Sequence, residues 1–275
     1  MAYEGCVRWA LQDGRPVHVT RVPRGTACGC FCASCGEPVI ARQGGSMSWH
    51  FAHASGSECA GAYETSLHVA GKATLEKLGR IRLPAVMAEF PMSRREPVVV
   101  VPAMDEDIVS VVFEERRGNV IPDVIITTAA GYEIFVEIAV THYVDEVKLA
   151  KLKAMGTPVL EVDIGDVRDG EPDFDAIFLG DSERKRWMFH PSEGAAYGAF
   201  LRASESRTAV RGFVLDCPVG HGGAAGANLS RDCGRCIYCI ERHPRRVLCT
   251  GASRAGSMES LGRAFRYDGG GAACP

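Results

Sequence analysis

The stretch NVIPDVIITTAAGYEIFVEIAVTHYVDEVKLAKLKAMG, residues 119–156, decides the fold. Two apolar, β-branched runs, PDVIITT and YEIFVEIAV, flank Ala130-Gly131 and read as antiparallel strands joined by a turn. VDEVKLAKLKAMG then reads as a helix that stops at a glycine, and TPVLEVDI as a strand leading out of it. Asp123 and Glu137 lie inside these apolar runs, where a carboxylate needs a partner. Asp123 early in one strand and Glu137 well along the next can meet on one face of the sheet. A hard divalent cation removes the cost of pairing them. Mg2+ (or Mn2+) prefers oxygen ligands and keeps waters, one of which can attack a phosphodiester.

Upstream, YETSLHVAGKATLEKLG reads as a helix, with Leu67, Ala70, Leu75 and Leu78 at helical spacing and Gly79 as its C-cap. Glu64, His68 and Lys72 recur every fourth residue and share a face of it. PAVMAEFPM, PVVVVPA and DIVSVVFEER read as strands. Helix, several strands, helix, strand gives an α/β core with a mixed sheet. GDVRDGEPDFDAIFLGDSERKRWMFH is acidic, then basic, and less regular; a helix is expected over 192–208. The boundaries read from these shifts are a β-rich N-terminal module over 1–61, a core over 62–180, a C-terminal extension over 181–250 and a flexible Gly/Ala/Ser-rich tail over 251–275.

Of the twelve cysteines, six lie between Cys6 and Cys59 and six between Cys217 and Cys274. Such clusters, in a chain without a secretory start, read as two zinc sites rather than disulfides. Cys32 and Cys35 form a CxxC knuckle followed by Gly36. His53 is the next ligand, with the fourth place open between His50 and Cys59; Cys28 and Cys30 form a CxC that can substitute. His50 and His53 point to opposite faces of a strand unless it ends or bulges between them. The surrounding sequence reads as hairpins, one around Asp13-Gly14 and one around Gly44-Gly45. In the second cluster Cys217, Cys233, Cys236 and Cys239 make a four-thiolate set, with His221 and Cys249 in reserve; an iron–sulfur cluster also takes four cysteines, but the short knuckle-like turns favour zinc. The arginines from Arg231 to Arg246 make either a solvated face or a phosphate-contacting one.

The 275 residues carry a net charge of −3, so contacts to nucleic acid have to come from local patches. The start of the chain lacks a basic, then apolar, secretory pattern, and no run is long enough for a membrane helix, so a cytoplasmic protein is expected.

The pieces CASCGEPVIARQGGSMSWHFAH, YETSLHVAGKATL, PDVII, VEIAV and VDEVKLAKLK, in that order over residues 28–165, resemble the competence-protein-CoiA-like family of the PD-(D/E)XK nuclease superfamily. The resemblance implies a restriction-endonuclease-like mixed sheet flanked by helices, here with N-terminal and C-terminal zinc-binding modules. It implies a metal-dependent endonuclease that hydrolyses DNA, in uptake of foreign DNA or anti-phage defence; RNA is the alternative substrate. Asp123 and Glu137 take the place of its metal ligands and Glu64 that of its first-helix acid. The superfamily usually has lysine two residues after the second carboxylate, and this chain has Ala139. Lys148 is the expected substitute, with Lys151 and Lys72 as the other cations in reach; His68 joins the catalytic set, and His142 is a further polar contributor. Ala139 also favours a second reading, a non-catalytic, zinc-containing nucleic-acid-binding protein on a degenerate nuclease fold.

Overall fold

The computed structural model describes residues 6–45, 47–93, 96–165 and 172–251, so most of the expected tail lies outside the described residues. Near the N-terminus, β1 (Trp9–Gln12) and β2 (Arg15–His18) form a tight hairpin. Its turn needs two residues with positive φ, and Asp13 (51°) and Gly14 (75°) supply them. β3 (Gly25–Phe31), β4 (Pro38–Arg42) and β5 (His50–His53) complete a five-stranded sheet in the order β2-β1-β3-β4-β5.

Helix α1 (Ala62–Leu78) follows, and Gly79 at φ 62° ends it by donating its N–H to the Leu75 carbonyl. Leu67, Ala70 and Leu75 are buried, and Leu78 packs partly buried against the same core. After β6 (Arg80–Leu83) come β7 (Val86–Ala88) and β8 (Val98–Val101), which pair with each other. β9 (Met104–Phe113), β10 (Val124–Thr128) and β11 (Glu133–Ala139) run antiparallel in succession. Helix α2 (Glu146–Ala154), N-capped by the Asp145 side chain, returns the chain to β12 (Val159–Asp163), parallel to β11. Val124, Ile126, Ile134 and Val136 are fully buried, each worth roughly 1.5–3 kcal/mol of burial.

The segment expected to be irregular supplies helix α3 (Phe174–Leu179) and β13 (Lys185–Phe189), with residues 166–171 outside the description. β13 joins a six-stranded sheet, β13-β12-β11-β10-β9-β6, so the core runs past residue 180. Helix α4 (Pro191–Arg202) ends six residues short of the expected 208, because Glu205–Thr208 is β14, paired with a later strand. Ser204 marks the break: its hydroxyl turns back to the Phe200 carbonyl. β15 (Phe213–Val214) and β16 (Ala227–Asn228) form a small ladder, and β17 (Cys239–His243) and β18 (Arg246–Cys249) pair beside β14.

The chain divides into two compact units. The first holds the described residues up to Leu83, Asp105–Met155 and Val159–Met188; the second holds Pro84–Met104, Gly156–Pro158 and those from Phe189 onward. The sequence boundaries placed the β7–β8 segment in the core. It belongs instead to the second unit, where Ala88 and Phe90 share a core with Ala196, Phe200 and Ile240, and Phe90 meets Phe200 edge-on at 5.2 Å. Among the described residues no helix is long and apolar enough to cross a membrane.

Candidate metal centres

Asp123 sits one residue before β10, at the start of an interior strand of the sheet. Its Oδ2 accepts the backbone N–H of Ile138 at 2.9 Å and lies 3.0 Å from His68 Nε2. Burial works to raise its pKa, but the His68 hydrogen bond and charge, the Ile138 N–H and the Lys148 charge outweigh it, leaving it at about 2. Glu137, inside β11, is 2 % exposed. Its Oε2 lies 2.5 Å from the Lys148 ammonium, while its Oε1 is buried with no hydrogen-bond partner. Burial first, and then the charge of Asp123, push the carboxyl up to about 7 against the pull of Lys148. The sheet thus holds one firmly ionised carboxylate beside another that ionises reluctantly.

Helix α1 brings its polar face to this pair. His68 contacts Asp123 directly. Glu64 lies 3.2 Å from His142 Nδ1, just after β11, and its bonds to Thr141 and His142 lower its pKa against the effect of burial. Lys72, buried, donates to Glu114 Oε1 at 2.7 Å. On the other side of Glu137, β12 places Glu161 in register beside it and Asp163 beside Ala139. Glu161 is 1 % exposed, accepts from Arg186 Nε at 2.7 Å and from the Val144 N–H at 3.1 Å. Asp163 accepts the Tyr143 hydroxyl at 3.2 Å, and the Arg186 guanidinium lies 5.6 Å from the Tyr143 ring centre. Lys148 and Lys151 line an open groove with Arg116, Asn119 and Ile121.

In the N-terminal sheet, the ligand atoms of Cys32, Cys35, His53 and Cys59 all lie within 4.8 Å of one another. This is the one group of three or more such residues gathered that closely among the described residues. The knuckle closes through the Gly36 N–H on the Cys32 carbonyl, with Gly36 at φ 75°. Three thiols and an imidazole make a donor set that can hold a zinc ion.

At the other end of the chain, Cys217, Cys233, Cys236 and Cys239 line a small cavity together with Cys249 and His221. They are not gathered as closely as the N-terminal four.

Residues 23–62 match the family model described as "Competence protein CoiA, N-terminal domain". Over this stretch the chain is CoiA-like. Searches of curated proteins and of solved structures return no match.

The matched segment contains all four clustered side chains, and the geometry gathers Cys59 rather than His50 with Cys32, Cys35 and His53. Cys59 completes the set, and His50 does not join it. His50 opens β5 opposite Arg42, with Nδ1 2.9 Å from the Ser48 carbonyl, whereas His53 closes the strand. Cys28 and Cys30 are buried in the core of the N-terminal sheet, their thiols turned to the Val39 and Cys28 carbonyls. Downstream of that segment, the fold brings Asp123 onto His68 and Glu137 onto Lys148, while Glu64, on the same helix as His68, bonds His142. Lys151 does not reach the carboxylates by any described bond. Sequence reasoning passed over Glu161, although an acid inside the apolar run VLEVD is the same signal that singled out Glu137.

Proposed function

We propose that the chain is a metal-dependent nuclease of the restriction-endonuclease-like class, acting on DNA phosphodiesters. The observation that supports this most is Glu137 Oε1: a buried carboxylate oxygen that no donor satisfies, beside the half-buried carboxylate of Asp123. Native interiors rarely leave such an oxygen unmatched, and those that do call for an ion or a functional role. Asp123 and Glu137 offer hard oxygen donors that fit Mg2+ or Mn2+, and they would hold it, the remaining positions falling to water. When bound, the metal supplies an activated water and stabilises charge on the phosphate.

The chain's own residues do the rest. His68 and the Ile138 N–H fix Asp123 Oδ2 in one orientation. Lys148 neutralises Glu137 from the helix that follows, in place of the lysine that Ala139 lacks, and sits at the groove wall where a phosphate can approach. Its ammonium balances charge that grows on the phosphate in the transition state. Glu64, held by Thr141 and His142, supplies an acid from the first helix. The element order α1, antiparallel β9-β10-β11, α2, parallel β12 agrees with the fold this reading requires. Zinc in this reading is scaffolding, at the CoiA-type set and among the C-terminal cysteines. Handling of foreign DNA, in a cytoplasmic setting, is the role that goes with the family likeness.

Labelled DNA and RNA strands incubated with the protein and Mg2+ or Mn2+, with and without EDTA, test the reading. Cleavage of DNA that EDTA stops is the expected result. Metal-independent cleavage, or DNA binding without cleavage in either metal, defeats it, and the latter favours the non-catalytic binder.

A further inference from the structure

The C-terminal module has little apolar material to hold it together. Its core consists of Ala209, Val214, Ala227, Leu229 and Val247 together with Cys233, Cys239 and Cys249, and Cys217 and Cys236 pack against these partly buried. Its strands are short: two residues each in β15 and β16, and four in β14 and β18. Segments of this size seldom bury enough apolar surface to stand without a disulfide or metal. Five thiols around one cavity point to a metal, but a tetrahedral site takes four of them.

Knuckle-like turns bring the thiols towards the cavity: Gly220 donates to the Cys217 carbonyl at 3.1 Å, Cys236 to the Cys233 carbonyl at 3.3 Å and Cys239 to the Cys236 carbonyl at 3.0 Å, and two further features choose four of the five. These turns are held by single backbone bonds, so their thiols can close on an ion. The segment after Cys249 is locked against the first turn, since a Cβ on Gly251 would lie 2.8 Å from Pro218 and 2.9 Å from Val219. Cys239, by contrast, is 1 % exposed and its thiol lies 3.8 Å from the Glu241 carbonyl, which gives its proton an acceptor.

Arg207 provides the independent observation. It lines the same cavity, its guanidinium nitrogens bond Asp216 and Glu205, and its buried Nε has no partner. Four thiolates around Zn2+ carry a net charge of −2, and a buried N–H on a cation is the group that such a site recruits in its outer shell.

We propose that Cys217, Cys233, Cys236 and Cys249 form a second, four-thiolate zinc site, with Cys239 outside it and Arg207 Nε–H donating to a ligating sulfur. It rests on the reading that the C-terminal cysteines bind metal, and it does not depend on nuclease activity.

The test is zinc content of the full chain, by elemental analysis of protein purified without chelator. Wild type is expected to carry two zinc ions, Cys249→Ser one, and Cys239→Ala two. X-ray absorption of the wild-type protein is expected to show a shell dominated by sulfur near about 2.3 Å. In the cobalt-loaded protein, Arg207→Gln is expected to shift the sulfur-to-cobalt charge-transfer band and to lower zinc affinity about tenfold or more. One zinc in wild type overturns the metal reading itself. Two zinc ions in Cys249→Ser, with one in Cys239→Ala, overturns the choice of ligands. If Cys249→Ser fails to fold, Cys239→Ala decides alone: two zinc ions support the choice of ligands, and one overturns it.

Discussion

Lys148 Nζ lies 2.5 Å from Glu137 Oε2, so the helix that follows β11 supplies the cation that the strand itself lacks at Ala139. Asp145 caps that helix and fixes the direction in which it leaves the sheet; its Oδ1 accepts the Lys148 N–H at 2.8 Å. Lys148→Ala is therefore expected to lower the cleavage rate by about 10²-fold or more, near 2.7 kcal/mol of transition-state stabilisation. Lys151→Ala, in the same groove but without a bond to the carboxylates, is expected to cut at close to the wild-type rate. Steady-state cleavage of a short duplex separates the two; equal losses in both variants would remove Lys148 from its role.

Glu137 links stability to pH. Its folded pKa, about 7, lies above the ordinary 4.5, so the folded state holds this proton more tightly than the unfolded chain does. The stability it contributes is present below pH 4.5 and is lost as pH rises through 7. Metal-free Glu137→Gln is expected to melt higher than wild type at pH 8 but not at pH 4. Mg2+ is expected to raise the wild-type melting temperature at pH 8 and to leave that of the variant unchanged. Thermal scans at the two pH values, with and without Mg2+, check both halves.

His190 makes the opposite case in the second unit. Its Nδ1 accepts the Ser192 N–H at 3.2 Å as the N-cap of α4, which requires that nitrogen to be unprotonated. Burial pushes the imidazole down to about 4 from the ordinary 6.5. The unfolded chain therefore takes up the proton first, and stability falls as pH drops from 6.5 towards 4. His190→Asn keeps a capping oxygen and is expected to flatten this part of the pH profile, as followed by helical circular dichroism. An unchanged slope would assign the acid sensitivity elsewhere.

Gly165 holds the end of the core together. A Cβ there would lie 1.7 Å from the Val140 carbonyl oxygen, a backbone atom that cannot swing away. Next to it, the Ile164 N–H bonds the Ala139 carbonyl at 2.8 Å, where β11 leads into Thr141 and His142. Gly165→Ala is expected to destabilise the fold by roughly 3 kcal/mol or more by forcing these strands apart. Urea unfolding gives the number, and a loss under about 1 kcal/mol would show that the backbone relaxes there.

Much of this was legible in the sequence because apolar periodicity and turn chemistry agreed. The α1 stripe, the glycine C-cap, the Asp13-Gly14 hairpin and the β10–β11 pair were read from local signals, and tertiary packing kept them. Asp123 and Glu137 stood out because charge inside an apolar strand is costly enough to need a reason. The partners of these residues were less legible. That the Ile138 N–H would bond Asp123, or that β12 would set Glu161 beside Glu137, depends on strand register, which the spacing of residues does not fix. The choice of Cys59 over His50 depends on where β5 ends. The β7–β8 pair passed to the second unit because Phe90 fits against Phe200, a contact between residues far apart in the chain.

The central claim is that Asp123 and Glu137 form a metal-dependent cutting centre. Closed circular plasmid in Mg2+, treated with wild type and with Asp123→Asn, tests it most directly, provided that zinc content and melting curve show the variant folded. The account predicts that wild type nicks or linearises the plasmid, that EDTA stops it, and that Asp123→Asn leaves the plasmid intact. Cutting by folded Asp123→Asn at the wild-type rate would contradict it.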